Sequence, residues 1–167
     1  MIIRTYTPTD LAAIHAINEA AVPAVGTEQI DDLADIAAES VIALVVEIEG
    51  QIAGFCFVLA PGADYDSINY LWFSDRYDDF VYLDRVAISP DFQRRGIGRA
   101  LYTEVERRSA ERCPPATAFT LEVNLRPRND TSLEFHAQLG FVEVGQQETG
   151  YGTLVSLMAK PLEPESR

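Results

Sequence analysis

The most constraining feature of the sequence is a glycine-containing turn between a predicted strand and a predicted helix. Pro90 ends an apolar run, and a helical pattern follows over 98–112. Two glycines let the backbone bend closely there, and the first amides of the helix have no internal partners. Such a turn favours anions, and its amides and dipole suit a pyrophosphate. The turn and the start of the helix comprise Gln93, Arg94, Arg95, Gly96, Ile97, Gly98 and Arg99.

Two other phosphate-binding motifs do not fit this turn. A P-loop requires Gly-Lys followed by Ser or Thr, and no such triplet follows. The dinucleotide fingerprint requires Gly or Ala three positions after Gly98, where the chain has Leu101. A nucleotide-binding domain is therefore disfavoured.

The charge of the chain restricts its partners. Its 26 acidic and 13 basic residues give a net charge of -13, which opposes binding to a nucleic-acid backbone. The same field attracts a cationic small molecule or a basic peptide, although solubility explains it equally well. Cys56 and Cys113 lack CxxC spacing, so neither a disulfide framework nor a cysteine metal site is predicted.

The length and the apolar pattern predict one soluble domain. No uncharged apolar run reaches the roughly 18 residues of a membrane helix, and residues 1–7 lack the regions of a secretory signal. We therefore expect a cytoplasmic protein without membrane contact. The domain is predicted to span residues 1–160 and a flexible C-terminal tail residues 161–167.

Apolar periodicity predicts alternating strands and helices. Strands are expected over 2–6, 41–48, 52–59, 80–89, 119–125, 141–145 and 153–159. Helices are expected from Leu11 to about Ala21, over 29–38, over 98–112, and from a capping box at Thr131 and Glu134 to Gly140. Residues 63–79 are predicted to form a long loop containing at most a short helix.

The predicted strand over 80–89 changes phase in its middle. Val81 and Leu83 occupy odd positions, whereas Val86 and Ile88 occupy even positions. A β-bulge produces this one-residue slip and leaves backbone groups outside the ladder. A strand that is covered on both faces is the alternative, because phase carries little information there.

Two segments resemble the GNAT superfamily of acetyl-CoA-dependent N-acetyltransferases. Residues 93–98 are similar to its motif Arg/Gln-x-x-Gly-x-Gly/Ala. The second segment contributes Asn129, Ser132, His136, Leu139, Gly140 and Phe141. The resemblance implies an α/β (α+β) fold with a central mixed, mostly antiparallel sheet of six to seven strands and about four flanking helices.

The resemblance also implies a cofactor and a reaction. Acetyl-CoA would be the cosubstrate, with its pyrophosphate on the amides of residues 94–99 and its pantetheine arm along the backbone of Val86, Ala87 and Ile88. Asn129 would lie near the pantetheine, although entry into a helix explains an asparagine there as well. The implied enzyme is an acyltransferase that moves an acetyl group to a primary amine of a small molecule or peptide by direct attack, without a metal.

Catalytic roles follow from the same resemblance. His136 stands where the family usually has a tyrosine that protonates the leaving thiolate, and imidazolium can also donate a proton. A satisfied core histidine fits its spacing from Leu133 and Leu139 equally well. The candidates for the general base are Asp84, Glu122 and Tyr82, and each is also consistent with a structural role.

The acidic, aromatic segment 64–79 suggests how an amine is selected. Its carboxylates could hold an ammonium group, and Tyr70, Trp72 or Phe73 could add a cation-π contact. A solvated acidic loop with packed aromatics is the alternative. The competing function is a catalytically silent acyl-CoA-binding sensor or interaction module. Edge strands near the C-terminus make a homodimer possible.

Overall fold

A computed structural model describes residues 1–150 and 152–162 of the chain. The strands are β1 (Ile2–Thr5), β2 (Ile42–Ile48), β3 (Gln51–Leu59), β4 (Phe80–Ile88), β5 (Ala118–Arg126), β6 (Val142–Glu148) and β7 (Leu154–Pro161). The helices are α1 (Leu11–Ala20), α2 (Ile30–Glu39), α3 (Ile68–Ser74), α4 (Ile97–Arg112) and α5 (Asp130–Gln138), with short 3-10 turns at Pro8–Asp10 and Pro90–Phe92.

The strands form one seven-stranded mixed sheet in the order β1-β2-β3-β4-β5-β7-β6. Neighbouring strands are antiparallel except for β4 and β5, which are parallel. This confirms the predicted mixed, mostly antiparallel sheet. Five α-helices flank it rather than about four, because the segment between β3 and β4 contains α3.

The predicted β-bulge lies at Asp84. Arg85 of β4 is opposite Phe57 of β3, but Leu83 is opposite the next residue, Val58. Asp84 therefore has no partner in the β3 ladder, and the one-residue slip moves the following side chains to the other face of the sheet. The change of apolar phase in the sequence predicted this irregularity correctly.

β4 and β5 separate soon after they begin. Their ladder contains three pairs and ends where Tyr82 meets Thr120, although β4 continues to Ile88 and β5 to Arg126. Past Tyr82, the edge of β4 that faces β5 has no ladder partner among the described residues. The sheet thus opens into a wedge between its two central strands.

Helices cover both faces of the sheet. On one face, Leu101 and Val105 of α4 pack against side chains such as Phe119 and Leu121 of β5. On the other face, α1 and α2 bury Ile14 and Leu33. Farther along that second face is an aromatic cluster whose largest members are Tyr70, Phe73, Phe80 and Tyr82. The part of the wedge that carries the carboxyl groups lies between the α1–α2 cluster and this aromatic cluster.

α5 begins two residues earlier than the predicted capping box indicates. Its N-cap is Asn129, whose side-chain oxygen accepts a hydrogen bond from the Ser132 amide at 3.1 Å, so Thr131 lies inside the helix. The prediction of a cap at Thr131 and Glu134 is therefore wrong. Gly140 follows the helix with φ 93°, as expected of a residue that ends a helix.

The C-terminal strand extends slightly farther than the sequence pattern predicts. β7 includes Lys160 and ends at Pro161. Residues 163–167 of the predicted tail lie outside the described residues. Within the described ranges, no helix combines the length and the apolar character that crossing a bilayer requires.

Candidate active site

The turn after β4 presents free backbone amides at the N-terminus of α4. Arg94 and Gly96 have left-handed φ angles of 61° and 75°, and they lie between the extended Gln93 and the start of α4 at Ile97. The first amide of the helix that bonds to a backbone carbonyl is that of Ala100, which donates to Gly96 at 3.1 Å. Within the described chain, the amides of residues 93–99 donate to no protein acceptor. Such a concave run of N–H groups binds anions.

The two glycines of the turn are needed for different reasons. A Cβ on Gly96 would meet open space, but its φ of 75° is a conformation that other residues adopt at a cost. A Cβ on Gly98 would lie 3.2 Å from Cζ of Phe135 on α5. Gly96 therefore shapes the turn, whereas Gly98 allows α4 and α5 to approach.

The exposed side chains of the turn add positive charge to an acidic protein. Gln93, Arg94, Arg95 and Arg99 are exposed, while Ile97 is buried beneath the helix. The Arg95 guanidinium lies 5.2 Å from the centroid of the Phe92 ring. The local positive charge and the free amides favour the same ligand, a multiply charged phosphate.

The open edge of β4 leads to this turn. Val86, Ala87 and Ile88 pair with β3 on one side, and the ladder to β5 has already ended. Their backbone groups on the open side can therefore accept an extended ligand as an additional strand. The residues predicted for the pantetheine and the pyrophosphate consequently form one continuous edge and turn.

Glu122 lies on β5 just past the point where the strands separate. The Tyr82 hydroxyl donates to its Oε2 at 2.7 Å. Burial raises the pKa of the Glu122 carboxyl to about 8. Burial also raises the pKa of Tyr82 well above 10, so this tyrosine stays a hydrogen-bond donor at neutral pH.

Asp84 occupies the bulge on β4 beside this carboxyl. Its Oδ1 accepts a hydrogen bond from the Tyr65 hydroxyl at 2.6 Å. Its Oδ2 lies 3.5 Å from Nε of Arg85, and neither atom has a hydrogen-bond partner in the described part of the chain. Burial raises the pKa of Asp84. Two carboxyl groups with raised pKa values thus lie at the wedge, as is common in catalytic sites.

Arg85 ties the loop between α1 and α2 to β4. One of its guanidinium nitrogens donates to Asn18 Oδ1 at 3.0 Å and to the Gly26 carbonyl at 2.8 Å. The second terminal nitrogen of the guanidinium pairs with the Glu28 carboxylate. On the opposite side of the wedge, Asn124 of β5 donates to the Pro23 carbonyl at 3.3 Å. The loop therefore spans the open end of the sheet.

His136 is buried between α5 and α4. Its Nε2 lies 2.6 Å from the Tyr102 hydroxyl, and its Nδ1 lies 2.6 Å from the Ser132 carbonyl. A carbonyl can only accept, so Nδ1 carries the hydrogen and Nε2 accepts from Tyr102. Burial lowers the pKa of the imidazole, which favours this neutral tautomer.

A sequence model of the acetyltransferase (GNAT) family matches residues 11–141, which include the turn, the wedge and both carboxyl groups. The chain belongs to this family. No curated protein shows significant sequence similarity to it. Within the described residues of this acetyltransferase, no group of three or more His, Cys, Asp or Glu side chains is arranged to hold a metal ion.

Solved structures share the fold of this acetyltransferase at low sequence identity. A ribosomal-protein-alanine N-acetyltransferase from Brucella melitensis is 23% identical, with a TM-score of 0.71 over 97% of this chain and 100% of its own. Ard1 from Thermoplasma volcanium is 18% identical, with a TM-score of 0.78 over 97% of both chains. A putative acetyltransferase from Salmonella typhimurium, solved with its cofactor acetyl-CoA, is 22% identical, with a TM-score of 0.71 over 100% of this chain and 96% of its own.

The aromatic residues of segment 64–79 do not form the cation-binding surface that the sequence suggested. Tyr70 and Phe73 are 2% and 0% exposed and belong to the core. Trp72 is half-buried, and the guanidinium of Arg76 covers its ring at 4.0 Å. Because these faces are already occupied, the predicted cation-π contact of an acceptor with this trio is wrong.

Several polar residues of the site have no local sequence signal. Tyr65 reaches Asp84, Tyr102 reaches His136, and Asn69 lies beside Glu122. Each joins elements that are distant in the sequence. An apolar pattern that contains a tyrosine predicts burial but not the partner of its hydroxyl.

The left-handed turn yields the first prediction. Replacing Gly96 by Ala should destabilise the fold by about 1 kcal/mol and raise the Kd for coenzyme A about tenfold, because a Cβ disfavours the φ that aligns the amides. Isothermal titration and thermal unfolding measure the two effects. Gly50→Ala is the matched control, since Gly50 also has a left-handed φ and open space around it. Equal losses of affinity in both variants would contradict the anion-binding role.

Proposed function

We propose that the chain is an N-acetyltransferase that moves an acetyl group from acetyl-CoA to a primary amine. The observation that carries this proposal is the junction of an unpaired β4 edge with seven free amides over 93–99. A diphosphate fits the amides, and an extended arm with amide groups fits the edge. When bound, acetyl-CoA supplies the activated acyl carbonyl for this reaction.

We assign cofactor binding to the residues that the sequence motif predicts. The amides of Arg94, Arg95, Gly96, Ile97, Gly98 and Arg99 hold the diphosphate, with Gln93 at the entrance of the turn. The open edge of Val86, Ala87 and Ile88 binds the pantetheine arm. Asn129 uses its oxygen to cap α5, which leaves its amide NH2 for a contact with the same arm.

Glu122 is the general base in this proposal. It lies where the strands separate, and its pKa of about 8 gives it the basicity to accept a proton from an ammonium group. Asp84 instead faces Arg85 and accepts from Tyr65, so it supplies negative charge beside the amine. Tyr82 holds the Glu122 carboxyl through its hydroxyl.

We propose His136 as the acid for the leaving thiolate, in the place of the family's tyrosine. Its neutral ring accepts from Tyr102, so Nε2 can donate to the thiolate only after the imidazole takes up the second proton, which the attacking nitrogen loses once it has bonded to the acyl carbon. The same contacts also hold α5 against α4. A test of His136 must therefore separate catalysis from packing.

An acidic groove supports a cationic acceptor. A cavity of about 290 Å³ lies between α2 and the segment before α3, and Tyr65 connects it to Asp84. Its lining contains six carboxylates, from Glu28, Asp32, Asp35, Glu39, Asp64 and Asp66. An acceptor that carries a second positive charge, such as a polyamine or a basic peptide, matches this groove.

Three further features of the proposal concern the location and the partners of the enzyme. We place it in the cytoplasm, where acetyl-CoA is available to a soluble domain. Strand β6 is an edge of the sheet and exposes Val142 and Val144, which supports pairing with a second copy. The net charge of -13 supports a partner other than nucleic acid.

The test of the function is a panel of amines with acetyl-CoA and detection of free thiol. Saturable thiol release that depends on an amine is expected. Tight acetyl-CoA binding without turnover on any amine would instead support the silent sensor. The absence of coenzyme A binding at millimolar concentration would contradict both functions.

The raised pKa of Glu122 predicts the pH dependence of the reaction. Below about pH 8 the carboxyl is largely protonated and cannot accept a proton, so kcat/KM should rise up to about tenfold per pH unit and level off above pH 8. Glu122→Gln should lower kcat by about 100-fold or more and abolish this limb. Glu134→Gln, an exposed change on α5, is the control.

Two checks sharpen this measurement. The amine should have a pKa well away from 8, so that its own ionisation does not produce the limb. Ionising Glu122 opposes folding because its pKa is higher in the native state than the ordinary 4.5, so Glu122→Gln should be at least as stable as the wild type at pH 9. A wild-type limb that persists in Glu122→Gln would remove Glu122 as the base.

The acid role predicts a split between turnover and binding. His136→Ala should lower acetyl transfer at least about tenfold with almost unchanged affinity for acetyl-CoA. Tyr102→Phe removes only the hydroxyl that faces Nε2 and serves as the matched variant. If both variants lose the same activity in proportion to a common fall in Tm, the pair has a packing role and the acid role is wrong.

The acidic groove predicts discrimination between amines by charge. Asp32→Asn together with Asp35→Asn should raise KM about five- to tenfold for a polycationic acceptor and hardly at all for a monocationic one. Asp31→Asn with Asp78→Asn changes the net charge equally on exposed positions outside the groove and is the control. Equal KM changes in the two double variants would mean that only overall charge matters.

A further inference from the structure

Asn69 is a buried polar residue on the inner side of α3. It is 8% exposed and lies beside the aromatic residues Tyr70 and Phe73, which fill the core. A buried carboxamide needs partners for both its oxygen and its nitrogen. No local motif in the sequence marks it as a functional residue.

Gln147 of β6 fixes the orientation of the Asn69 carboxamide. Its Nε2 donates to Asn69 Oδ1 at 2.9 Å, across 78 positions of the chain. With the oxygen used in this way, the Asn69 NH2 group is the part that remains to donate. The Asn69 side chain lies beside the Glu122 carboxyl, and a hydrogen bond from its NH2 group would favour the ionised carboxylate.

A glycine on β6 allows α3 to lie close enough for these contacts. Gly145 is two residues before Gln147, and a Cβ there would lie 2.6 Å from Cζ2 of Trp72. The indole of Trp72 therefore occupies the space above Gly145. This close packing joins α3 to β6 and sets the reach between Asn69 and Gln147.

We propose that Asn69, oriented by Gln147, is a positioning residue that helps Tyr82 to hold the Glu122 carboxyl at the wedge. Gln147 donates to Asn69, the Asn69 carboxamide lies beside the Glu122 carboxyl, and Tyr82 donates to Oε2 of that carboxyl. The inference rests on the proposed function in assigning Glu122 a catalytic role. The segment between β3 and β4 thereby contributes to the reaction without contacting the reacting atoms.

The other ionisable groups around Glu122 come from several elements. From β4 they are Tyr82, Asp84 and Arg85. Tyr65 before α3 and Tyr102 of α4 complete the set. None of these side chains hydrogen-bonds to Asn69 or Gln147 in the described part of the chain, so replacing the carboxamides leaves the charges around Glu122 in place.

The decisive experiment measures the Glu122 titration directly. Protein labelled with carboxyl-13C glutamate is titrated by NMR, and the Glu122 resonance is assigned by its loss in Glu122→Gln. Asn69→Leu removes a donor to the carboxylate, so the titration midpoint should rise by about one unit. Gln147→Leu should shift it in the same direction by a smaller amount. Gln146→Leu, on the same strand with its amide directed to Glu143, should leave it unchanged.

Activity provides a second readout. A midpoint raised by one unit lowers kcat about tenfold at pH 7, where Glu122 is mostly protonated, and the loss should vanish well above the new midpoint. The KM for acetyl-CoA should stay the same. A rate loss that is equal at all pH values would indicate a merely structural role and overturn the inference.

The outcomes separate this inference from the proposed function. An unchanged midpoint in Asn69→Leu and Gln147→Leu overturns the positioning role. If Asn69→Leu fails to fold, Gln147→Leu at the sheet edge still decides the question by the same titration. If the midpoints shift but the wild type turns over no amine, the positioning of the carboxyl stands and the transferase proposal fails.

Discussion

The early end of the β4–β5 ladder is the constraint on which the rest of the molecule depends. If β4 and β5 stayed paired along their whole length, the edge of β4 would be hydrogen-bonded to β5. Glu122 would then lie on a continuous sheet surface rather than beside a gap. Because pairing stops at Tyr82 and Thr120, main-chain groups of β4 remain available, and two carboxyl groups lie beside a gap. The bulge at Asp84 occurs at this same point, since the extra residue redirects the strand.

A gap in the middle of a sheet requires support from the elements around it. The loop between α1 and α2 is tied to β4 through Arg85 and to β5 through Asn124. From the same face, the Tyr65 hydroxyl donates to Asp84, and the Asn69 side chain lies beside Glu122. The two strands are therefore held apart by segments that also determine the surroundings of the carboxyl groups. Structural bracing and control of proton affinity depend on the same contacts.

Local patterns predicted the parts of the structure that local physics determines. The spacing of two glycines indicates the turn at Gly96, and the slip in apolar phase indicates the bulge at Asp84. Both signals lie within a few neighbouring residues. The contacts of the site are different, because Asn69 and Gln147 are 78 positions apart and Tyr65 is 19 positions from Asp84. Side chains that come together only in the folded protein have no such local signal in the sequence. For this reason the sequence wrongly predicts Tyr70 and Phe73 as ligand contacts, whereas both side chains are buried in the core.

The placement of the open backbone edge also affects how the protein avoids self-association. Unpaired strand edges at the rim of a sheet invite other chains to add to them and start aggregation. Here the open edge of β4 faces inward, with β5 across the gap and the α1–α2 loop spanning it. A second sheet would have to displace β5 or this loop to pair with the edge, whereas a single extended ligand needs only the space that the missing ladder leaves. The fold thus keeps a length of unpaired main chain available to a ligand while shielding it from other chains that would aggregate on it.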